Sequence, residues 1–136
     1  MKKSIATIFC FFALISTMFI AYGSEIVPFA NNYNTVNAYF TISSSGRATA
    51  SFDYQGKSGV TKSATIETKI QKKFGLIWIT VSDGSWTDTT KATTYSNSHS
   101  VQLSSTGTYR AHVEFTISGT GGSDDEITRN VQRTYS

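Results

Sequence analysis

The sequence predicts an all-β chain, an antiparallel β-sandwich of about seven strands preceded by a signal-peptide helix. Three observations carry this. Apolar and polar residues alternate with a period of two, most clearly where Tyr109, Ala111, Val113, Phe115 and Ile117 interleave with Arg110, His112, Glu114, Thr116 and Ser118. Clusters of Gly and Ser interrupt such runs at intervals of about ten residues, the rhythm of a sandwich. Beyond the leader no segment shows helical spacing, and the β-branched Ile, Val and Thr content favours strands.

The leader comes first. Lys2 and Lys3 precede an uncharged run from Ile5 to Ala21 with the apolar core Ile8-Phe9-Cys10-Phe11-Phe12-Ala13-Leu14-Ile15. Ala21-Tyr22-Gly23 then sets small residues at the −3 and −1 positions of a signal-peptidase site, so cleavage is expected before Ser24. The uncharged run approaches the roughly 18 to 20 residues of a membrane span. Ser4, Thr7, Ser16 and Thr17 dilute it, and no stable span is expected after cleavage. The expected division is a signal peptide over 1–23, a lead-in segment or edge strand over 24–35, and a β-sandwich domain over 36–136. Pro28 and Asn31-Asn32-Tyr33-Asn34 place the second of these at an edge and outside the core.

Each strand then follows from its own pattern. Val36, Ala38, Phe40 and Ile42 share one face of the first, which ends at the turn Ser43-Ser44-Ser45-Gly46. Ala48, Ala50, Phe52 and Tyr54 share one face of the second, so the two read as an antiparallel hairpin. After Gly56-Lys57-Ser58-Gly59, the residues Ala64, Ile66, Thr68 and Ile70 point one way and Thr65, Glu67, Lys69 and Gln71 the other. Lys72-Lys73-Phe74-Gly75 breaks this run, and Leu76 to Val81 resumes as a strand holding Trp78. Ser82–Ser98 is the least regular stretch, rich in Thr, Ser and Asp, although Trp86 and Tyr95 imply that part of it packs. A short strand Ser100–Leu103, the long strand from Tyr109, a Gly-rich turn over 119–123 and a last strand with Ile127, Val131 and Tyr135 complete the set.

Gly107-Thr108-Tyr109, at the entry to the best strand, matches a tyrosine corner, in which the hydroxyl bonds back to the backbone upstream. With the strand count it makes an immunoglobulin-like sandwich the expected architecture. The run 62–74 with its Lys-Lys end, Gly75, Trp78, Val81, Trp86, Leu103 and Gly107-Thr108-Tyr109-Arg110 resembles a group of small secreted proteins of Gram-positive bacteria, among them bacilli and clostridia, whose domain has no assigned function. The resemblance covers roughly residues 36 to 135. It implies an exported single sandwich and carries over no catalytic residue.

Composition bounds the chemistry. Lys and Arg number 12 against 9 Asp and Glu, and without Lys2 and Lys3 the balance falls to ten against nine, near +1. Such a chain has no electrostatic footprint for nucleic acid, whose binding requires several phosphates to be neutralised together. The single cysteine, Cys10, lies in the leader, which leaves a cysteine-free mature domain without disulfide, thiolate nucleophile or Cys-ligated metal. The Met-Lys-Lys start, the long leader, and the absence of a disulfide framework and of an Asn-x-Ser/Thr site fit a bacterial secreted protein. Its core must hold by packing alone, and the chain is long enough for one such core.

No reactive centre assembles from the motifs. There is no Gly-x-Ser-x-Gly elbow, and Gly56-Lys57-Ser58-Gly59 lacks the strand-to-helix context. His99 and His112 are the only histidines, with Asp83, Asp88 and Glu114 as conceivable partners that sequence alone does not bring together. Two separated histidines make a poor metal site. Asp124-Asp125-Glu126 lacks the alternating ligand spacing of a calcium loop and reads as a solvated hairpin tip. The reading is therefore of a non-enzyme with no catalytic residues, cofactor or metal.

The aromatics remain. Trp86, Tyr39 and Tyr95, with Trp78, would make a platform for sugar rings if they shared a face. For Trp78 a place in the core is the stronger expectation, because a disulfide-free sandwich needs a large aromatic there. Lys57, Lys62, Lys69, Lys72 and Lys73 crowd one stretch, read as a wet face of mixed charge or as an attraction for anionic wall polymers or lipid head groups. Together these features predict a secreted, non-catalytic binding or surface-associated module. Its unknown extracellular ligand would be an envelope or cell-wall polymer, a polysaccharide or a protein. The alternative is a secreted membrane-active factor, bacteriocin-like or toxin-like, although no mature segment has the extended apolar band of a lipid-facing barrel.

Overall fold

The alternating runs pair where their patterns allow both apolar faces to be buried at once. The computed structural model describes residues 30–136; the leader and most of the lead-in lie outside the described residues. Seven strands follow in order: β1 Tyr33–Ile42, β2 Arg47–Gly56, β3 Thr61–Phe74, β4 Ile77–Thr90, β5 Thr94–Gln102, β6 Gly107–Gly119 and β7 Asp125–Tyr135. They form two antiparallel sheets, one in the order β1-β2-β5 and the other β4-β3-β6-β7, with no helix among the described residues. The molecule is a β-sandwich.

The expected inner faces are the observed ones. Val36, Phe40, Ala48, Ala50, Phe52 and Tyr54 from the three-stranded sheet meet Ala64, Ile66, Ile70, Ala111, Val113, Phe115 and Ile117 from the four-stranded sheet, all buried. Phe52 and Phe115 meet edge to face across the layers, with ring centroids 6.0 Å apart at 87°, the arrangement that sets a ring's positive rim against its neighbour's negative face. Small Ala side chains at 48, 50, 64 and 111 leave room for these rings between the sheets. The tyrosine corner forms as expected: buried Tyr109 donates its hydroxyl to the Ser105 carbonyl at 2.6 Å and pins the β5–β6 loop.

Two expectations are corrected. The core holds no tryptophan; Trp78 lies on the outer face opposite Lys73, half-buried beneath Lys73 and Arg110. Phe40, Phe52, Phe115 and Tyr109 supply the aromatic volume instead. The irregular stretch Ser82–Ser98 is mostly strand, divided between β4 and β5 by a short turn after Thr90. Its pattern is hidden because the inward positions Asp88, Asn97 and His99 are polar.

The placing of Asn32 outside the core also fails, because just before β1 this residue closes one end of the sandwich. Asn32 is fully buried; its amide donates to the Ser123 carbonyl at 2.9 Å and its oxygen accepts from Gly121 N at 3.0 Å. Asp125 accepts from the backbone N–H groups of Asn31 and Asn32 at 3.1 and 2.6 Å. Gly121 is required here, since a Cβ would fall 2.1 Å from the Asn31 carbonyl oxygen. The acidic cluster at this hairpin is thus partly a clamp on the incoming chain.

Candidate functional site

The opposite end is built differently because the strands there are unequal. β3 and β4 each run 14 residues, against 10 for β2 and 9 for β5. The excess of four to five residues carries the β3–β4 hairpin about 13–17 Å past the facing sheet at the ordinary strand rise. Inner-face positions beyond Ile70, namely Lys72 and Phe74 with their partners Ile79 and Ile77, have no sheet opposite them. Gly75, at φ 62°, opens a two-residue turn between Phe74 and Ile77, a position where positive φ favours glycine. A Cβ there would meet nothing within 4 Å.

The result is an apolar prong. Leu76 at the apex is 97% exposed, Ile77 60%, Phe74 49% and Ile79 47%. Of the five large exposed hydrophobic side chains among the described residues, four belong to the prong and Tyr39 lies elsewhere. Isolated exposed apolar groups need no explanation, but a contiguous group of this kind is a candidate interaction surface. Cations gather behind it. Arg110 lies over the Trp78 ring at 4.5 Å and Lys73 at 6.0 Å, while Lys72 donates to Ser105 Oγ at 2.7 Å. Among the described residues none of the three pairs with a carboxylate.

Beneath the prong lies a groove of about 280 Å³ lined by Lys72, Phe74, Ile79, Val81, Ser104 and Tyr109. Its floor is the tyrosine corner and its roof the overhanging hairpin. The prong is set off from the rest of β4 by a large bulge, where residues 81–84 stand opposite Ile70 alone. Asp83 adopts φ 59° within it. Gly84 is held tight there, because a Cβ would approach Val81 Cγ2 to 2.5 Å. Such a bulge bends a strand and re-aims the side chains on either side of it.

A second cluster closes the gap between the edge strands β4 and β5. Trp86 stacks on His99 with ring centroids 4.9 Å apart at 8°. His99 Nε2 lies 2.6 Å from Asp88 Oδ2, and Asn97 and Tyr95 donate to Asp88 Oδ1 at 2.8 and 3.2 Å. Burial pushes the Asp88 carboxyl up, but the bonds from His99, Asn97 and Tyr95 and the His99 charge outweigh it and hold its pKa below the ordinary value. Burial first, and then the Asp88 charge, push the Tyr95 hydroxyl up. A His–Asp pair works in catalysis when the ring also reaches a nucleophile; among the described residues His99 has no hydrogen bond to a hydroxyl. The arrangement joins two sheet edges.

The structure divides the four candidate aromatics of the sequence among three surfaces. Trp86 and Tyr95 belong to this edge cluster. Tyr39 stands on the outer face of the three-stranded sheet, where it donates to Asp53 at 2.9 Å, a bond that raises its pKa. Trp78 belongs to the prong. No single platform forms. His112 is separate again, on the outer face of β6 between Asn130 and Glu114 at 2.6 and 2.8 Å. The bond from His112 is the main reason that the Glu114 carboxyl lies low. The prong is not among the sites expected from sequence, though its signal, Phe74-Gly75-Leu76-Ile77-Trp78-Ile79 directly after Lys72-Lys73, is present there. No family model, no curated protein and no solved structure matches the chain.

Proposed function

We propose that this protein is an exported, non-catalytic binding module that works through the β3–β4 end of its sandwich. The carrying observation is the apolar prong, with Leu76 fully in solvent above a cationic collar. Leaving such a group wet gives up burial worth about 1.5–3 kcal/mol per large side chain, a cost that binding would recover. The fourth strand lies beside the third, and the tyrosine corner stands at the entry to the sixth. Both features support reading the fold as an immunoglobulin-like sandwich with its fourth strand on the four-stranded sheet. The leader and the resemblance to Gram-positive secreted proteins both support export.

The test is co-sedimentation of the secreted chain with isolated bacterial envelopes. Leu76→Ser with Ile77→Ser is expected to reduce retention roughly tenfold or more, from the apolar area removed. Retention equal to wild type would remove the prong as the binding end. The alternative, a secreted membrane-active factor, draws on the same hairpin. Only residues 74–79 are apolar, well short of the roughly ten-residue strands of a membrane barrel, so the prong favours surface attachment over a pore.

A further inference from the structure

We propose, building on that reading, that the prong docks the molecule tip-first on the surface of an anionic lipid bilayer. The order of side chains along the hairpin matches the order of environments met on entering a membrane. Leu76 leads, with Phe74, Ile77 and Ile79 close behind it. Trp78 sits one step back, with Lys73 and Arg110 over its ring. Apolar groups belong at the acyl boundary, while Trp and the heads of long cationic side chains settle at the headgroup level.

Charge is distributed to suit this orientation. Strand register places Lys72, Lys73, Arg110 and Arg133 at the prong end, and Arg47 begins β2 there. Among the described residues Asp83, in the bulge, is the single acidic side chain in that half. Glu67 and Glu114 face each other at mid-strand, Asp53 and Asp88 lie beyond the middle, and Asp124, Asp125 and Glu126 cluster at the far end. Lys57, Lys62 and Lys91 offset most of the carboxylates at the far end, so an anionic surface attracts the prong end more strongly than the opposite one, which orients the molecule before contact.

The backbone sets the depth. Within the hairpin Lys72, Lys73 and Phe74 pair with Ile79, Trp78 and Ile77, but β4 is an edge strand with its outer groups unpaired. An open sheet edge is not tolerated in the hydrocarbon core. The prong is limited to the headgroup boundary, about 5–10 Å deep, as interfacial segments are. A fluid surface also suits the shape. Phe74, Ile77 and Ile79 point to one face of the hairpin and Trp78 to the other, with Leu76 at the apex, so apolar groups surround the tip on both faces.

Flotation of the secreted chain with vesicles tests this, using phosphatidylcholine alone and phosphatidylcholine mixed with phosphatidylglycerol. Comparing variants that share one N-terminus cancels any contribution from the leader. Wild type is expected to float with the anionic vesicles, to float far less with the neutral ones, and to be released by salt. Leu76→Ser with Ile77→Ser, and separately Lys72→Gln with Lys73→Gln, are each expected to weaken flotation roughly tenfold or more. Trp78 emission is expected to shift to the blue on binding. Thermal melting controls for folding, which substitutions at the exposed apex leave intact. Absence of flotation, flotation equal for wild type and apex variant, or equal binding to both vesicle types would overturn the proposal. If the apex variant loses envelope retention while wild type ignores vesicles, the prong binds a polymer or protein: the module reading stands and the lipid inference falls. A concentration-dependent dimer abolished by Leu76→Ser would likewise overturn it, in favour of a second copy as occupant.

Discussion

The two ends of the sandwich solve opposite problems with hairpins that both turn on glycine. At the β6–β7 end, glycines let the chain come close, and Asn32 and Asp125 satisfy the backbone groups thus buried. At the β3–β4 end the turn is tighter, two residues against five, yet a Cβ on Gly75 would meet nothing within 4 Å and four large apolar side chains stand in water. A polar, glycine-rich hairpin has become structural, and an apolar one has been left free. Residue type at a turn therefore does not reveal whether the turn is buried. What decides it is whether another segment reaches that far.

The largest expected effect lies at the closed end. Asn32→Ala removes a fully buried amide and strands the Gly121 N–H, while the Ser123 carbonyl keeps only its bond from the Asn31 amide at 3.3 Å. A cost of about 2–4 kcal/mol is expected, from the cavity and the unpaired groups together. Urea denaturation would read it, and a midpoint equal to wild type would show that the clamp is not structural.

A smaller effect belongs to the β4–β5 edge between the two ends. The Asp88 carboxyl is lower in the folded state than its reference value of 3.8. Its contribution is therefore fully present above that value and is lost as pH falls through the depressed one. Stability measured at descending pH should fall below about 4. Asp88→Asn should flatten that acid limb, and an unchanged limb would assign it to other carboxylates.

The smallest effect is expected at the prong. Leu76→Ser should move stability by no more than about 0.5 kcal/mol, because the side chain contacts little in the free protein. A loss of several kcal/mol would mean that the hairpin apex packs within the fold, and the contrast between the ends would disappear.

Much of the fold was legible. The inward positions of β1, β2, β3 and β6 were readable because each strand alternates an apolar and a polar residue, and Tyr109 was placed by its neighbours Gly107 and Thr108. The edges were less so. β4 and β5 turn Asp88, Asn97 and His99 inward, half-buried, so the period survives in geometry while vanishing from hydropathy. The site was legible only in its parts. Trp78 carries the same apolar surface on either face of a hairpin, and its placement outward turns on register beyond the bulge at 81–84.

What the sequence determined by itself was local: strand positions, their inner faces, the corner tyrosine and the absence of any cysteine from the sandwich. Each arises from stereochemistry within a few residues, since alternation along a strand needs no knowledge of its partner. The tertiary structure decided which of these features meet. It paired His99 with Asp88 and His112 with Glu114, separated Tyr39 from Trp86, and left the end of β3 and the start of β4 uncovered. These outcomes depend on the relative lengths and register of strands far apart in the chain, quantities that no single segment contains.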